Sequence, residues 1–230
     1  MKKFITANIG LTALLGSGFA HAGLSPYYIG VGAGVTNNNG SSSNFCPTCN
    51  GSQYDTKKRN NAYKVYGGLN LTDTLAVEAE LTDLGKTYEL DMYRPDNGIP
   101  GNPAERAHAT QKTRGIGISA KANRNLGRRT SVYGKVGAFA WENKNKMDYT
   151  NQVGISETYK TKDRGISPTL GVGIEHEITD RVSVRAGWDH YFNTGKGDQF
   201  LHLDSNQNFA DLRSVKTDTD MIYVGATFNF

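Results

Sequence analysis

The sequence predicts an all-β fold, an eight-stranded antiparallel up-and-down β-barrel, on three observations. Eight segments alternate in polarity with period 2, the signature of strands with two unlike faces. Their connections are by turns tight and long. One face of the strands is branched and apolar, whereas the other carries glycine and charge.

The first strand, from Tyr27, sets Tyr27, Ile29, Val31, Ala33 and Val35 against Tyr28, Gly30, Gly32 and Gly34. The second, from Tyr63, sets Val65, Leu69 and Leu71 against Lys64, Tyr66 and Asn70, and the third sets Leu75, Val77 and Leu81 against Glu78 and Glu80. In the fourth, Ile116, Ile118 and Ala120 oppose Gly115, Gly117, Ser119 and Lys121. The fifth opposes Val136, Ala138 and Ala140 to Tyr133, Lys135 and Phe139, and the sixth opposes Val172, Ile174 and Ile178 to Gly171, Gly173, Glu175 and Glu177. In the seventh, Val182, Val184 and Ala186 stand against Ser183, Arg185 and Asp189. The eighth, "MIYVGATFNF", brings Ile222, Val224, Ala226, Phe228 and Phe230 to one side.

Thr72–Thr74, the stretch "NRNLGRR" and Thr179–Arg181 read as tight turns. The other four connections, at about 36–60, 85–109, 142–164 and 193–215, are long and rich in Asn, Gly, Lys and Asp. Four long links at one end are unusual in a compact soluble domain. They suit a transmembrane barrel, which has an even strand count, short turns on one side, long loops on the other, and strands alternating apolar-out and polar-in. Every backbone group in lipid must be paired, so such a sheet has to close. A lipocalin also has eight strands, but holds its ligand in an apolar interior. Glycine on the polar face favours the membrane reading. So do aromatics at the strand ends, read as two girdles: Tyr27, Phe228 and Phe230 at one rim, and Trp141, Trp188 and Tyr191 at the other.

Residues 1–22 have the form of a signal peptide: Lys2 and Lys3, a short apolar run, then Ala20-His21-Ala22, which places cleavage between Ala22 and Gly23. The barrel is expected over 23–230. The formal charge is +4, two of it from Lys2 and Lys3, too weak a surplus for a nucleic-acid partner. No later run of 18 apolar residues offers a membrane helix.

Three stretches carry a family resemblance. "AYKVYGGLNLTDTLAVEAELTDLGK" resembles the second and third strands of OmpA-like outer-membrane barrels, "SVYGKVGAFAW" the fifth, and "SPTLGVGIEHEITDRVSVRAGWDHY" the sixth and seventh. The resemblance implies a Gram-negative outer-membrane location with both termini periplasmic. It also implies that the terminal strand, through Phe228 and Phe230, is read by the barrel-assembly machinery. Well-known members carry a peptidoglycan-binding domain after the barrel; the expectation here is the transmembrane domain only.

With the polar face as lumen, Lys64, Lys121, Lys135 and Arg185 stand against Glu78, Glu80, Glu175 and Glu177. Buried charges must pair or lose heavily on desolvation, and an eight-stranded barrel is just wide enough to be filled by side chains. The set therefore reads as a salt-bridged plug. Cys46-Pro47-Thr48-Cys49 lies in an Asn/Ser-rich segment without the βαβ setting of a redox site, and reads as a local disulfide in an oxidising compartment. His108, His190 and His202 lie on the loop side, but none has the Ser two residues on that would share its strand face.

A non-enzymatic structural and surface-interaction barrel is the expectation, with a narrow porin-like passage as the alternative and a lipid A-modifying enzyme as the third class. Neither cofactor nor metal is expected. Expected partners are outer-membrane lipids and lipopolysaccharide, with Arg114 as one outward contact, and an extracellular ligand on the loops. The barrel is expected to be monomeric.

Overall fold

The computed structural model describes residues 27–39, 53–94, 105–150, 156–203 and 209–230. The expected leader with its Ala22/Gly23 cleavage site, and the Cys46–Cys49 pair, lie outside them. Among the described residues eleven strands run in chain order: β1 (Tyr27–Asn38), β2 (Gln53–Thr56), β3 (Arg59–Asn70), β4 (Leu75–Arg94), β5 (Glu105–Asn125), β6 (Thr130–Thr150), β7 (Ser156–Glu177), β8 (Val182–Tyr191), β9 (Leu201–Leu203), β10 (Phe209–Leu212) and β11 (Thr219–Asn229). Eight of them form an antiparallel ring in the order β1-β3-β4-β5-β6-β7-β8-β11. It closes between β1 and β11, with Tyr28 opposite Asn229 and Asn38 opposite Thr219. β2 adds to the free length of β4, and β9 pairs with β10 apart from the ring.

Two of the three tight turns are built by threonine. Thr72 Oγ1 accepts from the backbone N–H of Thr74 and Leu75 (3.2 and 3.0 Å), and Thr179 Oγ1 does the same for Arg181 and Val182 (3.3 and 3.0 Å). Each hydroxyl mimics a turn carbonyl and fixes a short reversal.

Strand length departs from expectation. β4, β5, β6 and β7 run for 20, 21, 21 and 22 residues, about twice the 9–11 needed to cross a bilayer. The segments 85–109 and 142–164, expected as loops, are therefore mostly strand among the described residues. The reason is visible in β6. Its outward residues Val136, Ala138 and Ala140 are apolar, and they give way to Glu142, Lys144, Lys146 and Asp148; inward, Lys135 gives way to Met147. Past the apolar belt the outside faces water, so the polarity of the alternation reverses while the strand continues.

On the belt itself, Ile29, Val31, Leu81, Ile118, Val136, Ile166, Ile222 and Val224 are half to three-quarters exposed. A water-soluble monomer does not carry such a continuous apolar band; lipid covers it in an outer-membrane barrel. The aromatic girdle is corrected at the loop end. Trp141 and Tyr191 are buried inside the ring with Phe139, Met221 and Tyr223, and Trp188 alone of the three points outward, where its Nε1 donates to Asp220 at 3.0 Å. At the turn end, Tyr27, Phe228 and Phe230 are outside as expected, with the two Phe rings edge to face at 5.3 Å.

Candidate functional site

The interior is stacked in layers. Nearest the turns, Tyr28, Tyr66 and Ala76 form an apolar floor, and glycines opposite them make it possible. A Cβ on Gly68 would run into the Tyr28 ring, and one on Gly30 into the Tyr66 ring. The glycines of the polar face are thus seats for aromatic side chains that fill the lumen.

Against this floor lies the charge network. Arg185 donates through Nη1 to Glu78 at 2.7 Å and through Nη2 to Glu175 at 3.2 Å. Its guanidinium sits 4.2 Å from the ring centre of Tyr66 and 4.9 Å from that of Tyr133, a cation–π arrangement. Lys121 holds Glu175 at 3.1 Å. Lys135 reaches Glu80 at 2.8 Å and Glu78 at 3.4 Å, while Lys64 bridges Glu80 at 2.7 Å and Asp189. Tyr28 and Tyr191 donate their hydroxyls to Glu78 and Glu80 at 2.9 and 2.8 Å.

Seven of the eight expected residues are therefore brought together: Lys64, Glu78, Glu80, Lys121, Lys135, Glu175 and Arg185. Glu177 is not among them. It shares the parity of Glu175 but lies two residues nearer the turn, past the rim, where its side chain is exposed to solvent. Its place is taken by Asp189, which is fully buried and lies 3.1 Å from Lys135. The signal for Asp189 was its parity with Arg185, four residues earlier on β8. Its chain neighbour His190 faces the opposite side of the strand, as alternation requires. Four cations still meet four anions.

Above the network, the second apolar layer of Ala62, Leu84, Phe139, Trp141, Tyr191, Met221 and Tyr223 closes the lumen. A polar layer follows, in which Gln111 binds the chain between β8 and β11. Its Nε2 donates to the Val215 carbonyl at 3.1 Å and its Oε1 accepts from the Val215 N–H at 2.8 Å. Asn143 Nδ2 donates to the Thr194 carbonyl at 3.1 Å, and Asp163 accepts from the Ser214 N–H at 2.7 Å. That segment is thereby folded into the mouth. There Phe200, Leu212 and Val215 pack on Tyr88, Leu90, Met92, Ala107, Ala109 and Met147, a third apolar layer. Sequence reasoning missed this inward fold, because 193–215 reads as a surface loop by composition.

The histidines have local partners. His108 Nδ1 lies 2.6 Å from Asp91, His190 Nδ1 2.8 Å from Asp220, and His176 Nδ1 2.9 Å from Thr130 Oγ1. All three are on the outer face. Among the described residues no group of three or more His, Cys, Asp or Glu is arranged to hold a metal ion.

The family model of the OmpA-like transmembrane domain matches residues 24–230. No curated protein matches the chain. Among solved structures, the chain is similar to Neisserial surface protein A (15% identity, 90% of this chain and 99% of that chain, TM-score 0.48). It is also similar to the outer membrane protein OprG from Pseudomonas aeruginosa (10%, 90% and 98%, 0.49) and to Ail, the attachment invasion locus protein of Yersinia pestis (12%, 88% and 99%, 0.40).

Proposed function

The chain belongs to the OmpA-like transmembrane domain family and is an outer-membrane β-barrel of a Gram-negative cell; from that premise we propose that it is a non-enzymatic barrel with a closed lumen, whose role is structural and exerted through the surface it raises above the membrane. The observation that carries this reading is the filled interior. Between the turns and the mouth, charge network, apolar layer, amide layer and inserted segment follow one another. A solute would have to separate buried ion pairs, and breaking a buried pair costs about 3–5 kcal/mol. Extended hairpins with water-facing charge then form the exposed part, where recognition residues of such proteins are carried on a rigid scaffold.

The test is electrical. Refolded full-length protein in a planar bilayer is expected to give no steady conductance steps at neutral pH. Long-lived, uniform open steps from the unmodified protein would replace this reading with that of a narrow channel.

A further inference from the structure

We propose that the outward face of β5, β6 and β7, just above the apolar belt, binds a lipid of the outer leaflet whose headgroup carries two or more phosphates. The pairing register builds the site row by row. Ile116, Ala140 and Ile166 end the belt; in the next row Arg114, Glu142 and Arg164 are cross-strand neighbours. Glu142 accepts from Arg114 Nη2 at 2.8 Å and from Arg164 Nε and Nη2 at 2.9 and 2.6 Å, so one carboxylate holds two guanidiniums side by side. The hydrogen bonds from Arg164, and then the one from Arg114, keep the Glu142 carboxyl below the usual range.

One row higher, Lys112, Lys144 and Lys162 stand directly opposite one another on the three strands, all exposed. Lys146 and Lys160 follow as neighbours in the row above. Like charges placed directly across a ladder are destabilising. Among the described residues, Lys112, Lys144, Lys160 and Lys162 have no acidic partner that would offset this. Strand spacing makes the lysine row about 10 Å wide and sets it about 7 Å above the arginine row, a size that fits a phosphorylated disaccharide better than a single anion.

Two further observations select a lipid over a soluble polyanion. Beneath the arginines a shallow groove of about 640 Å³ is lined by Tyr63, Leu81, Ile116 and Ala140, with Arg114 and Arg164 at its rim. It offers an acyl chain a place continuous with the headgroup site. The cations are concentrated on this side: an outward row of β8, β11, β1 and β3 runs His190, Asp220, Asn37 and Arg59, with charges that cancel, and the patch is bounded on β4 by Asp83, opposite Arg114. The assignment needs only that the barrel sits in an outer membrane, and stands whether or not the lumen conducts.

The test uses the full-length protein in zwitterionic detergent, with a fluorescent bis-phosphorylated glycolipid and its dephosphorylated form as probes. Each lysine at an anionic membrane surface contributes about a fivefold gain. The Lys112→Ser/Lys144→Ser/Lys162→Ser variant is therefore expected to lose about 100-fold in affinity for the phosphorylated lipid. The equal charge change Arg124→Ser/Arg128→Ser/Arg129→Ser at the opposite rim should lose less than about threefold, because those charges lie far outside a Debye length. Retained heat-modifiable gel mobility shows that both variants fold. Equal losses in the two variants would overturn the proposal as unspecific charge attraction. Equal binding of the dephosphorylated lipid, or displacement by inorganic pyrophosphate at the lipid's own concentration, would overturn it too.

Discussion

Replacing Arg185 by Met tests how the lumen is held together. Arg185 is about 1% exposed and binds Glu78 at 2.7 Å and Glu175 at 3.2 Å. Its removal leaves Glu175 to Lys121 and Glu78 to Lys135 at 3.4 Å. Four anions would then face three cations in a space closed to water. Leaving a buried charge without its partner costs about 3–5 kcal/mol, and loss of the stacking on Tyr66 and Tyr133 adds about 1 kcal/mol. Arg185→Met is thus expected to destabilise by about 4–6 kcal/mol. Glu78→Gln in the Arg185→Met background restores neutrality and keeps a carboxamide that still accepts from Tyr28. The double variant should recover about 2 kcal/mol or more relative to the sum of the single changes. Equilibrium urea unfolding in phospholipid vesicles, followed by tryptophan fluorescence, measures all four corners of the cycle. Additivity within about 0.5 kcal/mol would show that the two residues do not act as a pair and would refute the reasoning.

Gly68→Ala puts a methyl group into the Tyr28 ring and should destabilise by about 1–3 kcal/mol, whereas Gly134→Ala meets nothing within 4 Å and should be near neutral; the same unfolding assay separates them. Deleting Phe230 should lower the amount of barrel reaching the outer membrane in cells while changing the urea midpoint of refolded protein little, and normal cellular levels would remove its assigned role as an assembly signal. Glu142, whose folded pKa is depressed by Arg164 and Arg114, contributes stability above its unfolded value of 4.5 and loses it as pH falls through the lower folded value. A slope in thermal stability at acid pH should therefore flatten in Glu142→Gln, modestly because the group is near solvent.

The belt was legible because lipid demands one sign of alternation. Val136, Ala138 and Ala140 against Lys135 and Phe139 are legible in the sequence of β6 alone, and so are seven members of the charge network. Glu177 misled because parity fixes the face of a strand but not the height along it, and the rim falls between Glu175 and Glu177. The upper strands were hidden for a different reason. In β4 the alternation breaks at two register shifts, one at Gly85, whose φ of +69° requires glycine, and one just after Lys86. In β5 and β6 the sign reverses, so Lys144 reads as a loop lysine although it sits in an unbroken ladder opposite Lys112. The mouth segment was illegible because its anchors, Gln111 and Asn143, lie over 50 residues away in sequence.

The reversal of polarity gives the projecting hairpins a core of their own, with Tyr88, Leu90, Met147, Phe200 and Leu212 inside and water around. One continuous strand thus passes through two solvents, and its two halves can open independently as separate cooperative units. The upper unit can exchange its amides with solvent, be clipped, or accept altered tips while the lipid-embedded base stays intact. Variation at the cell surface is thereby uncoupled from the requirement to stay inserted.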